Sequence, residues 1–300
     1  MNLGTIVTAM ITPFDERGAV DTAEAARIAR WLVGRGNDAL VVAGSTGEGQ
    51  TLNDAERYEL VKAVKAAVGD GAIVIANAGM SATRESIESA RRAQDAGADA
   101  LLLVVPYYIK PTQTGMLRHF GAIADAVPLP QIVYNIPSRT VANMLPETLL
   151  RLAREHRNVV GVKESSGDLK QIATVLRDRD RGFRVWCGDD HLFLPCLALG
   201  ADGLIGVASH LCSREFRQMY EAFTEGRVAE AATIHASLLP LLDVLYRVTN
   251  PIPVKWAMNQ LGFRAGVCRS PLDELPANLE SVLRPVVADF ADPDMTAVLA

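Results

Sequence analysis

Eight short apolar runs, each followed by a longer stretch of helical period, constrain this chain more than any other feature. The runs are TIVTAMI, ALVVAG, AIVIANAG, ALLLVVP, QIVYNIP, VVGVKES, FRVWCGDD and GLIGVAS. They are continuously apolar rather than alternating, as strands are when both faces are covered. Strand runs alternating with helical stretches are the pattern of βα units around a parallel sheet. The helices carry start signals: Asp21 before Glu24 and Asn53 before Glu56 have capping-box spacing, and Pro146 suits a first helical position. A weak internal repeat, GNDALVV from Gly36, GADALLL from Gly97 and GADGLIG from Gly200, reads each time as a helix-ending glycine, a tight turn and a strand start. Eight such units without an intervening linker predict an α/β fold, a (β/α)8 TIM barrel over residues 1–226; a doubly wound open sheet is the alternative. From Val228 the pattern turns to helices only, so residues 227–300 are expected to form a C-terminal all-helical extension packed on the barrel.

Charge and cysteine usage exclude several classes of partner. With 30 basic and 35 acidic residues in 300, a net charge of -5 and no long basic run, neither nucleic acid nor an anionic membrane is expected. Cys187, Cys196, Cys212 and Cys268 form no CxxC pair, which suggests neither a zinc site nor a disulfide framework. The N-terminus has no basic leader before its apolar stretch, and nowhere do about 18 apolar residues run uninterrupted. A cytoplasmic location is expected.

In a parallel barrel, functional residues gather at the C-terminal ends of the strands. There the sequence places GSTGEG, PYY, YNIPSRT, KESSGD, GDDH and ASH. Lys163 is the sharpest of these, an ammonium at the end of an apolar strand, where lysine is rare. An amine drawn out of water is easier to hold neutral, and a neutral amine can attack a carbonyl to form a Schiff base. Otherwise its stem packs while its head reaches water or pairs with a carboxylate such as Glu164. Tyr134 ends the preceding strand, either as a core aromatic or as a phenol able to shuttle protons to Lys163. Ser45, Thr46 and the backbone N–H groups of GSTGEG suit a carboxylate, or form an ordinary turn before a capped helix. Arg139 offers a planar fork to a second carboxylate, or is merely solvated. Tyr107 and Tyr108 form an aromatic pair for the site or for a subunit contact. A rival constellation, His191 and His210 with Asp189 and Asp190, would be metallic, although either aspartate more simply caps the next helix. GVASH is short of the glycines that a phosphate site would use, which disfavours phosphorylated substrates.

Several of these loops together, TAMITPF, GSTGE, PYYIKPTQTGMLRHF, YNIPSRT, GVKESSGD and NPIPVK, resemble the dihydrodipicolinate synthase and N-acetylneuraminate lyase family of pyruvate-dependent class I aldolases. The similarity covers nearly the whole chain. It implies a (β/α)8 barrel with C-terminal helices, assembled as a homotetramer of two tight dimers. It assigns Lys163 as the Schiff-base lysine and Tyr134 as the proton-transfer tyrosine. Thr46 and Ser45 would bind the pyruvate carboxylate, with Ser45 linking Tyr134 to a Tyr108 donated by the partner subunit. Ile205 would present its backbone carbonyl near the pyruvate-derived carbons. Arg139 points to the synthase branch, in which it receives the carboxylate of aspartate semialdehyde, with no metal or organic cofactor. Ser45, Ile109, Gly206 and His210 depart from frequent synthase residues, so a lyase acting on neuraminate or a sugar-derived 2-oxo acid is the alternative. A non-catalytic sensor of 2-oxo acids is a reading from a different class. Tyr107 and Glu85 match the lysine-inhibition site of regulated members, whereas Asp54, Arg57 and Ser81 do not.

Overall fold

The computed structural model describes residues 3–290. Eight strands close into a parallel barrel in sequence order: β1 (Ile6–Ala9), β2 (Ala39–Val42), β3 (Ile73–Asn77), β4 (Ala100–Val104), β5 (Gln131–Asn135), β6 (Val159–Glu164), β7 (Arg184–Cys187) and β8 (Gly203–Gly206). β8 pairs with β1, so the open-sheet alternative is excluded. Residues 1–2 and 291–300, which the sequence reading assigned to the barrel and the extension, lie outside the described residues.

The strands are covered on both faces, which is why they read as unbroken apolar runs. One face looks outward to the helices and carries Leu40, Val42, Val74, Leu101, Val133, Val162 and Val185. The other fills the barrel with Val7, Val41, Ile75, Leu102, Ile132, Tyr134, Trp186 and Ile205. Trp186 anchors this interior through an indole N–H donated to the Gly4 carbonyl at 3.0 Å. Gly161 makes room for it, since a Cβ there would lie 2.6 Å from the indole ring.

Local signals act as read. Asn53 and Glu56 form a reciprocal capping box, and Pro146 opens its helix. Asp21 accepts from the Glu24 N–H at 2.9 Å without the reciprocal bond. The three repeat glycines, Gly36, Gly97 and Gly200, have φ of +90°, +89° and +99°, a region that costs other residues strain.

After Gly226 the described chain forms helices Val228–Leu245, Ile252–Gln260 and Ala277–Ala288. The first is long and apolar enough by composition to cross a membrane, yet it packs against helices Ser209–Thr224 and Ala277–Ala288. The second reaches back to the barrel mouth. There the Lys255 ammonium, 1% exposed, lies 2.7 Å from Glu48 Oε1 and 3.9 Å above the Phe14 ring. Glu48 Oε2 accepts from the Arg269 N–H at 2.8 Å, so both carboxylate oxygens are satisfied. Burial pulls the Lys255 pKa down, and the adjacent Glu48 charge opposes that pull.

Removing one partner of a buried pair strands the other charge, at about 3–5 kcal/mol. Lys255→Met is therefore expected to lower the urea midpoint by a corresponding amount, and adding Glu48→Gln to recover part of it. A single variant as stable as the parent would show that the pair does not hold the extension to the barrel.

Candidate active site

Side chains alternate across a strand, so Lys163 and Glu164 take opposite faces of β6. Lys163 points into the barrel mouth between Tyr134 and Trp186, its register partners on β5 and β7. It is 5% exposed, and its ammonium stands 4.4 Å from the centroid of the Tyr134 ring. Among the described residues it has no carboxylate partner, in contrast to Lys255. Gly188, just past β7, makes the necessary space: a Cβ there would lie 3.0 Å from both Cγ and Cε of Lys163.

Glu164 cannot serve as the counter-ion. Its carboxylate faces the outer helices and accepts from Asn135 Nδ2 and Gln171 Nε2 at 3.2 Å and from the Ser166 N–H at 2.9 Å. Burial raises its pKa, against those hydrogen bonds. The network ties β5, β6 and helix Leu169–Asp178 together behind Lys163, while Asp168 caps that helix.

The loop after β2 is built for close approach. A Cβ on Gly49 would lie 2.0 Å from the Ala43 carbonyl oxygen, and one on Gly47 2.9 Å from the Met10 carbonyl oxygen. Thr46 is buried, and its hydroxyl accepts from Asn250 Nδ2 at 2.9 Å. The Asn250 carbonyl in turn accepts from the Arg139 guanidinium at 3.1 Å. Ser45, Gln50, Val104, Tyr107, Ile136, Arg139 and Thr140 line a cavity of about 340 Å³ at this mouth. Asn250 thus joins the two candidate carboxylate receivers, a role that its place in NPIPVK did not reveal.

Ile205 is buried inside β8, at the barrel's interior. Tyr108 is not brought to the site within one chain: it is 89% exposed, with φ of +72°. Ser45, Tyr134 and Tyr108 make no hydrogen bond to one another among the described residues. The metallic constellation is dispersed. His210 is fully buried, accepting from the Ile11 N–H at 3.1 Å and donating to the Val207 carbonyl at 2.8 Å, so both ring nitrogens are occupied. Asp189 caps the 3-10 turn at the His191 N–H, and Asp190 accepts backbone N–H groups from Val207 and Ala208.

The chain matches the dihydrodipicolinate synthetase family over residues 2–288. The chain belongs to that family. A 4-hydroxy-tetrahydrodipicolinate synthase of Dehalococcoides mccartyi is 46% identical over 282 residues, 94% of this chain and 95% of that protein. The crystal structure of the dihydrodipicolinate synthase of Cyanidioschyzon merolae with lysine bound superposes with a TM-score of 0.94 at 43% identity, covering 96% of this chain and 99% of that one. The chloride-inhibited enzyme of Acinetobacter baumannii, complexed with pyruvate, gives 0.92 at 34% identity, covering 96% and 99%.

Burial holds His210 neutral, with its pKa down at about 4 from 6.5. The unfolded chain therefore binds this proton over a range in which the folded chain does not, and stability falls as pH drops from about 6.5 to about 4. The span corresponds to about 3 kcal/mol. The stability difference between wild type and His210→Gln is expected to shrink across that range in urea titrations. A pH-independent difference would mean that His210 titrates alike in both states.

Proposed function

We propose that this chain condenses pyruvate with L-aspartate-4-semialdehyde to 4-hydroxy-tetrahydrodipicolinate, the step toward diaminopimelate and lysine, as its named relatives do. One observation carries the reading: Lys163 is a buried amine with no carboxylate partner among the described residues, facing the barrel mouth beside a phenol. In the proposed scheme its neutral amine attacks the keto carbon of pyruvate, and water leaves as the iminium forms. Tyr134 moves protons at this step and as the methyl carbon is deprotonated to the enamine. The iminium is itself the electron sink, so the scheme needs no metal or organic cofactor. Thr46 and Ser45 hold the pyruvate carboxylate, and the Ile205 carbonyl faces the reacting carbons. The enamine carbon then attacks the aldehyde, whose distal carboxylate is received by Arg139. The acceptor's own amino group displaces Lys163 from the iminium carbon, closing the ring and freeing the enzyme.

The catalytic barrel in this reading spans residues 1–226 and the extension residues 227–300, of which Tyr246, Asn250 and Lys255 brace the mouth. We place the enzyme in the cytoplasm as a homotetramer of two tight dimers. The exposure of Tyr108 supports its use by the neighbouring subunit. Feedback by lysine is not part of the proposal: Asp54 pairs with Arg92, and Arg57 donates to the carbonyls of Gly49 and Leu52.

The test is the steady-state rate with both substrates, coupled to dihydrodipicolinate reductase. Arg139→Ala is expected to lose roughly 10- to 100-fold in kcat/KM for the aldehyde, the worth of a charge-assisted hydrogen bond. It should still trap pyruvate under borohydride, which Lys163→Ala should not. Full activity of Arg139→Ala with a polyol-derived 2-oxo acid and none with the semialdehyde would favour the lyase reading instead.

Sharing of Tyr108 has its own check. Co-refolded Lys163→Ala and Tyr108→Phe subunits are expected to recover about a quarter of wild-type activity, since mixed dimers keep one intact site. A mixture no better than its components would place Tyr108 in its own subunit's site.

A further inference from the structure

A second buried hydroxyl and carboxylate lie behind the proposed Schiff-base site and take no part in the scheme above. Asp190 is fully buried at the end of β7. Its carboxylate accepts from the Val207 N–H at 3.1 Å, the Ala208 N–H at 2.9 Å and the Tyr246 hydroxyl at 2.6 Å. Tyr246 comes from the extension, four residues before Asn250, and its ring packs on His191 at 5.5 Å. Tyr246 as a residue is 39% exposed, while burial around its hydroxyl and the neighbouring Asp190 charge push the phenol's pKa up. Gly206 is required for this arrangement, since a Cβ there would lie 2.0 Å from Asp190 Oδ1.

One carboxylate therefore ties three segments of the mouth. Gly188, two residues before Asp190, leaves the space that Lys163 occupies. Val207 and Ala208 directly follow Ile205 and Gly206, so the clamp on their N–H groups fixes the Gly206–Val207 and Val207–Ala208 peptides, next in the chain to the Ile205 carbonyl that faces the pyruvate-derived carbons in the proposed scheme. The Tyr246 hydroxyl is the side-chain donor in this set. We propose that Tyr246, acting through Asp190, is a positioning residue for the Schiff-base step. The inference rests on the reading of Lys163 given above.

The groups facing Asp190 set the sign of its response to pH. Asp189 and His191 face it from its own turn, Cys212 from helix Ser209–Thr224 and Tyr246 from the extension. Asp243 and His235 act at one remove, through His191. Burial raises the Asp190 pKa, and the Tyr246 hydroxyl and the two N–H groups oppose it. Loss of the hydroxyl must raise it further, so the clamp would be protonated at higher pH.

The experiment is the rate of borohydride trapping of labelled pyruvate on the full-length protein, followed against pH. Tyr246→Phe keeps the ring on His191. It is expected to trap roughly tenfold more slowly, the loss of a hydrogen bond to a charged group, with the acid limb of its profile moved to higher pH. Tyr246→3-fluorotyrosine, a stronger donor, is expected to move that limb the other way and keeps the test open should the phenylalanine variant fold poorly. A wild-type protein that traps no pyruvate would sink the reading of Lys163 itself. Wild-type trapping with both variants unchanged in rate and profile would overturn the role of Tyr246. So would a slower rate at an unshifted acid limb, because the hydroxyl would then act otherwise than through Asp190.

Discussion

A closed parallel barrel gives each strand residue a choice between two enclosed faces, and the chemistry of the site follows from that choice. Lys163 and Glu164 are neighbours in sequence and strangers in space: one looks into the mouth, the other into a hydrogen-bonded network under the helices. A buried ammonium paired with a carboxylate is held in place by its partner and is kept from acting as a nucleophile. Lys255 illustrates that outcome, held at 2.7 Å from Glu48. The same residue type placed against an aromatic ring, with no carboxylate partner among the described residues, has a nucleophile's surroundings. The difference between a structural lysine and a candidate catalytic one lies in which partner the strand geometry denies it.

The extension reaches the mouth through Tyr246, Asn250 and Lys255, which satisfy polar groups on the loops after β2, β5 and β7. Tyr246 meets Asp190 after β7, Asn250 meets Thr46 after β2 and, through its carbonyl, Arg139 after β5, and Lys255 meets Glu48. Loops carrying buried polar groups hold a single geometry only when those groups are paired. The helical segment therefore substitutes for rigidity that the loops lack, and its burial against the barrel is linked to the shape of the site.

What was legible in the sequence was local. Continuous apolar runs gave the strands because both faces are covered, the repeat glycines marked helix ends because only glycine sits easily near φ of +90°, and the anomaly of Lys163 stood out against its strand. The opposite facing of Glu164 was available from strand alternation alone and was missed as a reason to dismiss it as a partner. The pairings of Thr46 with Asn250 and Glu48 with Lys255 were not available: they join residues 204 and 207 positions apart, with no periodicity to relate them. His191 and His210 looked like a metal pair because strand ends converge, yet tertiary context occupies both nitrogens of His210 with backbone. The role of Gly188 was hidden for a related reason, since the need for a missing Cβ appears only once the neighbouring strand is in register.

Backbone strain follows the same map. All non-glycine residues with positive φ among the described residues, Ala43, Glu48, Tyr108, Lys110 and Val141, lie in loops after β2, β4 and β5. Such conformations cost of order 1 kcal/mol or more each and persist where the surroundings over-determine them. Glu48 has that support from Lys255 and Arg269 within its own chain. Tyr108, almost fully exposed, has none of comparable kind in a single subunit. A strained, solvated aromatic on the rim is poorly explained by the monomer's own energetics, whereas a neighbouring subunit that buries the ring would supply the missing constraint, in keeping with the proposed use of Tyr108 by that subunit.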